Sequence, residues 1–134
     1  MMLIPVIHFP GTCAKAIAFY QNVFGAKVVS IAYQKDAPLD SDLRISAKDP
    51  NRIMHAELII AEAHVNMSDI ADAVVSGNMH LFNIFLDTVD EVIDVFNHLS
   101  VGGRIITALG PQFWTAMYGG VEDQFGVHWQ LMAK

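Results

Sequence analysis

Cysteine and charged residues are both scarce in this sequence. The 134 residues include a single cysteine, Cys13, which excludes an internal disulfide and a metal site built from several thiolates. Charged residues make up 16% of the chain, against about 25% in an average soluble protein. So little charge indicates that much of the surface is covered, either in a thick core or against a second copy of the chain.

Positive charge is especially rare. Eight Lys and Arg stand against 14 Asp and Glu, which gives a formal net charge of −6. Nucleic acids and anionic membranes require a basic protein face, so neither is expected as a partner. No apolar run reaches the roughly 18 residues of a membrane span, and the first residues do not resemble a signal peptide. We therefore expect a cytoplasmic protein with one domain over residues 1–134.

The sequence contains one pattern of predicted strands and helices that occurs twice along the chain. In the first round, Thr12 is a candidate helix N-cap and Gly25 a candidate helix stop. The helix lies between them, and the predicted strands are Leu3–Phe9, Lys27–Tyr33, Ile53–Ala61 and His64–Met67. Gln34–Arg52 is rich in turn residues, and a loop of this length is often functional, as a lid or an interface arm.

The second round repeats this order. Thr88 and Glu91 have the spacing of a capping box at the start of its helix. Leu109–Met117 is predicted to be a loop. The predicted strands are His80–Leu86, Arg104–Thr107, Tyr118–Glu122 and Val127–Met132.

Individual residues of the two rounds also align. Phe19 and Phe96, like Gly25 and Gly102, are 77 positions apart. We infer a duplicated βαβββ module, with module one at residues 1–69 and module two at 79–134. Units this small cannot bury their own sheets, so we expect an α+β fold in which both modules form one curved mixed sheet with the helices outside.

Two predicted strands contain the same short motif, in which a histidine is followed two residues later by an amide residue. His64 precedes Asn66, and His128 precedes Gln130. Residues two apart on a strand share a face, so each pair forms a polar face backed by apolar neighbours. We expect the two polar faces to line one cavity.

Several segments resemble the glyoxalase, or vicinal oxygen chelate, superfamily. The helix Ala16-Ile17-Ala18-Phe19-Tyr20 leading to Gly25, and the turn and strand Asp123-Gln124-Phe125-Gly126-Val127-His128-Trp129, support this resemblance. The residues that resemble its PhnB-like branch are Pro5, Gly11-Thr12-Cys13, Met54-His55-Ala56-Glu57-Leu58, Met67-Ser68-Asp69, Gln112-Phe113-Trp114 and Tyr118-Gly119. The resemblance implies a cup-shaped sheet. In the metal-using members, this cup holds one divalent ion on four inward side chains, typically His and Glu.

This sequence departs from that ligand set. The four places fall on Pro5, Asn66, either Phe82 or Asn83, and Gln130. Proline offers no ligand atom, and neutral amides replace the carboxylates that hold a hard divalent ion. We therefore predict that the metal is absent. The alternative is Zn or Ni recruited by His64 and His128.

Other side chains are candidates for ligand binding or catalysis. Gln112, Phe113, Trp114 and Tyr118 suit a pocket wall, and the alternative for them is core filling. With Asn66 and Gln130 they form the predicted substrate-binding set. His55, Glu57 and His128 are candidate acids and bases, although a structural ion pair on a strand face is the preferred explanation for the first two. Cys13 is interpreted as a small packed residue.

Three functions remain open from the sequence. The preferred one is binding of a small organic molecule without catalysis, as in binding and resistance members of the superfamily. The second is a lyase, isomerase or transferase acting on a small molecule, and the third is a metal-dependent glyoxalase or dioxygenase. The low charge content, the exposed sheet edges and the resemblance all favour a homodimer.

Overall fold

The computed structural model describes residues 1–37, 49 and 51–134, which fall into two compact units, Met1–Val75 and Ser76–Lys134. The first unit contains β1 Val6–Phe9, α1 Cys13–Phe24, β2 Lys27–Tyr33, a short 3-10 helix Gln34–Asp36, β3 Ile53–Ile60 and β4 Ala63–Asp69. The second contains β5 Phe82–Leu86, α2 Val89–Leu99, β6 Arg104–Gln112, β7 Thr115–Glu122 and β8 His128–Ala133. The α+β class and the doubled βαβββ order predicted from the sequence are confirmed.

Each unit builds its own four-stranded mixed sheet. The strand order is β1-β4-β3-β2 in the first unit and β5-β8-β7-β6 in the second. In both sheets the first strand pairs in parallel with the last, and the other pairs are antiparallel. The single curved sheet expected from the sequence is thus refined to two sheets, one for each module.

Strand alternation separates a helix-packed face from a polar face in the first sheet. Ala56 and Leu58 of β3, with Val65 and Met67 of β4, are buried, and both strands contact α1. Helix α1 contributes the buried residues Cys13, Ala16, Ile17 and Tyr20. Burying a leucine or methionine side chain contributes about 1.5–3 kcal/mol, so this apolar face supplies much of the unit's stability.

The second sheet also packs its apolar face against α2, and the helix comes unusually close to one strand. Phe96 of α2 lies over Gly119 of β7, where an added Cβ would be only 2.7 Å from the phenylalanine ring. Any larger residue would push the helix off the sheet. Apolar side chains surround this contact: Val92, Leu99, Val121, Trp129 and Leu131 are all buried.

The two helices begin differently. Thr88 accepts a hydrogen bond from the Glu91 N–H, and Glu91 accepts one from the Thr88 N–H, so the predicted capping box is present. Thr12 occupies the predicted N-cap position of α1, but its side chain makes no capping bond. The carboxylate of Asp69 replaces it, accepting from the Cys13 N–H at 3.0 Å and from the Ile53 N–H at 2.9 Å.

Several predicted boundaries are wrong, for example β1, which begins at Val6 and not at Leu3. Leu109–Met117 is not a loop, because β6 runs to Gln112 and β7 begins at Thr115. Gly110 and Pro111 are tolerated there because β6 is an edge strand and its pairing with β7 has register shifts. The β3–β4 turn is Ala61–Glu62, both at positive φ, so β3 ends one residue earlier than predicted.

The long irregular stretch predicted at Gln34–Arg52 is described only at its ends. Its first three residues form the 3-10 helix, which agrees with a short ordered piece in this stretch. Residues 38–48 and 50, which carry the predicted lid or interface arm, lie outside the described residues. In the part of the chain that the structure describes, no helix is long and apolar enough to cross a membrane.

Candidate functional site

The first sheet carries a polar face on the side opposite α1. Strand pairing places Glu57 opposite Asn66, and Ile59 opposite His64, on this side. The predicted alternation is confirmed here, since Val65 and Met67 are buried while His64 and His55 are exposed and Glu57 and Asn66 are half-buried. The sequence therefore identified the face correctly.

A histidine and a carboxylate pair on this face. The Nδ1 atom of His64 lies 2.9 Å from the Glu57 Oε1 atom. Among the described residues, no hydrogen bond or ion pair joins Glu57 to His55, the neighbour with which the sequence paired it. Orientation through Nδ1 leaves Nε2 of His64 facing away from its partner, as in a histidine positioned for proton transfer.

Asn66 occupies the centre of the polar face. In the described residues its Oδ1 atom is buried and has no hydrogen-bond partner. The first-strand residue opposite Asn66 is Val6, and Pro5 only accepts the Asn66 backbone N–H, at 2.9 Å. The sequence placed the family's first ligand position at Pro5, and strand pairing places the next residue, Val6, opposite Asn66. Neither residue offers a ligand atom.

The second sheet has a matching polar face opposite α2. Asn83 of β5 pairs with Gln130 of β8, whereas Phe82 pairs with Trp129 on the helix side, their rings 5.1 Å apart. The choice between Phe82 and Asn83 that the sequence left open is thereby resolved in favour of Asn83. Gly120 lies opposite Gln130 on the next strand, so no side chain covers the glutamine from that side.

A charged row borders these amides. Glu122 lies opposite both Arg104 and His128, and its Oε2 atom is 2.6 Å from Nη2 of Arg104 and 3.8 Å from Nε2 of His128. The sequence identified His128 but missed the other two. Arg104 and Glu122 could have been predicted as a cross-strand ion pair if the register between β6 and β7 had been known, because opposite charges facing one another across strands stabilise a sheet.

The donor set does not fit the superfamily's divalent ion. The side chains at the four positions that the resemblance assigned are Pro5, Asn66, Asn83 and Gln130; none of these, nor Val6 next to Pro5, is anionic or an imidazole. Within the described ranges, no group of three or more His, Cys, Asp or Glu residues is arranged to hold a metal. His64 and His128 each have a carboxylate neighbour in their own unit, Glu57 and Glu122.

The predicted aromatic wall lies on the β6–β7 hairpin. Phe113 and Trp114 form its tip and are 98% and 52% exposed. The Trp114 ring is 4.8 Å from the Phe113 ring and 5.7 Å from the Tyr118 ring, both edge to face. Burial raises the pKa of the Tyr118 phenol. Gln112 is exposed at the end of β6, so core filling does not explain Gln112, Phe113 or Trp114.

Two buried carboxylates support the site and were not predicted as functional residues. Asp123, only 3% exposed, accepts the Phe125 and Val127 N–H groups and the Trp129 indole N–H. These bonds fix the turn into β8 and hence the direction of His128 and Gln130. Asp69 ties α1 to β3 at the end of β4. Cys13, as predicted, is packed in the core, and burial raises its pKa to about 12.

Known proteins resemble the chain over its whole length. Residues 5–131 match the model of the glyoxalase/bleomycin resistance protein/dioxygenase superfamily. The protein YjdN of Escherichia coli K12 is 33% identical over 98% of this chain and 94% of its own.

Two solved structures share the fold. Protein PA1353 of Pseudomonas aeruginosa superposes with a TM-score of 0.84 at 27% identity, covering 100% of this chain and 98% of that one. A PhnB protein from Bacillus cereus superposes with a TM-score of 0.81 at 22% identity over all of both chains, a likeness of fold. This chain belongs to the glyoxalase/bleomycin resistance protein/dioxygenase superfamily.

Proposed function

We propose that this protein binds a small organic molecule on the polar faces of its sheets and does so without a divalent metal. One observation carries the proposal: neutral amides, Asn66, Asn83 and Gln130, stand where metal-using members of the superfamily place charged or imidazole ligands. Each amide offers both a hydrogen-bond donor and an acceptor. This chemistry suits an uncharged polar molecule better than it suits a cation.

The unpaired acceptor on Asn66 supports the proposal. A buried polar atom with no partner costs about 1–3 kcal/mol, and the Asn66 Oδ1 atom has none among the described residues. A ligand donor that reaches this oxygen recovers that cost. Glu57 lies opposite Asn66 on the neighbouring strand and is already engaged with His64. As a carboxylate, Glu57 cannot donate to the Asn66 oxygen, so a ligand donor is the group that would complete it.

Metal analysis of the purified protein tests the metal-free half of the proposal. We expect less than 0.1 mole of Mn, Ni or Zn per mole of chain, on the order of a background level for weak sites, and no shift in melting temperature when these ions are added. The matched variant is Gln130→Glu, which restores one carboxylate and should raise the response to metal. Stoichiometric metal in the wild-type protein, retained through dialysis, overturns the proposal.

A second candidate function is proton transfer on a bound small molecule, by a lyase or isomerase. The 2.9 Å contact between His64 and Glu57 favours it, because a carboxylate that orients an imidazole is a recurrent general-base arrangement. His55, Glu57 and His128 remain the other candidate catalytic groups. Incorporation of deuterium into a bound ligand, followed by NMR and abolished by His64→Ala, distinguishes this enzyme from a protein that only binds.

A further inference from the structure

The polar face of the second sheet is ordered into three rows of different chemistry, which run across the strands. The first is the charged row, Arg104, Glu122 and His128. The second is the amide row, Asn83 and Gln130 with Gly120 and Thr107. The third is the aromatic row, Tyr118, Met132 and Phe85, together with Trp114, whose ring meets that of Tyr118.

The rows have a defined spacing. Successive rows are two residues apart on β7 and β8, as for His128, Gln130 and Met132. Since a strand rises by about 3.3 Å per residue, adjacent rows lie about 6.6 Å apart and the three rows span about 13 Å. A bicyclic aromatic ring with one polar substituent covers two adjacent rows.

Part of the aromatic row is exposed, and its rings contact one another. Trp114 is 52% and Phe85 is 56% exposed, and Trp114 is held edge to face between Phe113 and Tyr118. Because burial raises the pKa of Tyr118, its phenol stays neutral at physiological pH and remains a hydrogen-bond donor. This row offers flat apolar surface without charge.

The amide row has unused hydrogen-bonding capacity. Gly120, opposite Gln130, has no side chain to bond the glutamine amide, and an added Cβ there would be in van der Waals contact with Thr107, whose hydroxyl is 3.4 Å away. His128 is 14% exposed, and its nearest charged atom, Oε2 of Glu122, is at 3.8 Å, beyond hydrogen-bonding distance. Gln130 and His128 therefore present donors and acceptors side by side.

Charge decides between a neutral and an anionic ligand. The cation of Arg104 is already matched by Glu122 at 2.6 Å and 3.2 Å. An anionic group placed on this row meets the Glu122 carboxylate, in a chain whose net charge is −6. Arg104 and Glu122 neutralise one another, so the row has no spare positive charge to hold an anion.

Building on the proposed function, we propose that the ligand is an uncharged aromatic carboxamide or lactam that lies along the second sheet. Its ring packs on Trp114, Tyr118 and Phe85, and its amide edge bonds to Gln130 and Asn83. His128 gives one further hydrogen bond to the amide. The ligand spans the aromatic and amide rows and leaves the Arg104–Glu122 pair intact.

A matched set of three compounds tests this ligand class. These are 2-naphthamide, its anionic analogue 2-naphthoate, and the saturated decahydro-2-naphthamide, with dissociation constants from isothermal titration calorimetry. We expect 2-naphthamide to bind at least about tenfold more tightly than either analogue, which is 1.4 kcal/mol. Equal or tighter binding of 2-naphthoate overturns the charge argument, and equal binding of the saturated amide overturns the role of the rings.

Variants locate the binding surface. Gln130→Leu and Trp114→Leu should each weaken 2-naphthamide binding at least about fivefold, as expected for loss of one hydrogen bond or one stacking surface. Gln124→Leu makes the same chemical change at an exposed position beside Gly102 and should leave affinity unchanged. Circular dichroism checks that each variant is folded.

The remaining outcomes separate this inference from the proposed function. No binding of 2-naphthamide at millimolar concentration, or binding that both variants leave unchanged, overturns the ligand class but leaves a metal-free binder of another molecule intact. Stoichiometric metal in the purified protein would instead overturn the proposed function, which is metal-free binding. If Trp114→Leu changes the sedimentation coefficient and not the ligand affinity, the aromatic row is covered by a second copy of the chain and this inference is wrong.

Discussion

Cys13 combines full burial with a negative neighbour. Burial and then the charge of Asp69 raise its pKa from 9.0 to about 12. The thiol is therefore neutral in the folded protein at any physiological pH and should not act as a nucleophile. An exposed cysteine at the start of a helix would instead have a lowered pKa.

The shifted pKa predicts how stability changes with alkaline pH. The unfolded chain releases the thiol proton near pH 9 and the folded chain near pH 12, so between these values the unfolded state binds fewer protons. The free energy of unfolding should then fall as pH rises through this range. Urea denaturation of the wild type and of Cys13→Ala at several pH values isolates the effect, since only the wild type carries this thiol. Parallel curves for the two proteins would contradict the prediction.

At the scale of secondary structure elements, a carboxylate at the end of β4 caps the N-terminus of α1. Asp69 is 2% exposed and accepts one N–H from α1 and one from β3, whereas Thr12 contributes no capping bond. The helix start is thereby linked to the sheet and not only to the residue before it. The local sequence predicted Thr12 as the capping residue, because N-cap preferences describe residues next to the helix in the chain. They cannot identify Asp69, which lies 56 residues from Cys13.

Two conservative substitutions separate these roles. Asp69→Asn should lower the free energy of unfolding by about 2–4 kcal/mol, because an NH2 group then faces a buried N–H donor. Thr12→Ala should change it by less than about 0.5 kcal/mol. Chemical denaturation of both variants measures the difference. A larger loss in Thr12→Ala than in Asp69→Asn would show that the hydroxyl caps the helix in solution.

Sequence periodicity predicted most of the elements but little of the contact geometry. Apolar alternation placed His64 with Asn66 and His128 with Gln130 on polar faces, since a face depends only on local spacing. The contact of Glu57 with His64, and the choice of Asn83, depend on register between strands distant in sequence. Gly110 and Pro111 indicated a loop because their tolerance in a strand depends on an edge position that the sequence does not reveal.

For the whole molecule, exposed apolar surface bears on assembly. Phe113 is 98% and Val75 is 91% exposed, in a chain with only 16% charged residues. Large exposed apolar side chains are often covered by a partner. The homodimer and the cytoplasmic location predicted from the sequence both stay predictions.

Sedimentation velocity tests the homodimer directly. We expect a species near twice the chain mass of 14.8 kDa at micromolar concentration, because apolar side chains this exposed cost free energy in water. Phe113→Ser is the informative variant, since it removes the most exposed aromatic ring without touching the core. A monomeric wild-type protein at 10 µM, on the order of a typical working concentration for weak dimers, would refute the prediction.

Both tryptophans of the chain, Trp114 and Trp129, lie in the second unit, and the first unit has none. Selectively excited tryptophan emission therefore reports on the unfolding of the second unit, while far-ultraviolet circular dichroism reports on both helices. Superimposable curves from the two signals would mean that the duplicated halves melt as one cooperative body. Separated curves would mean that each module has its own melting transition.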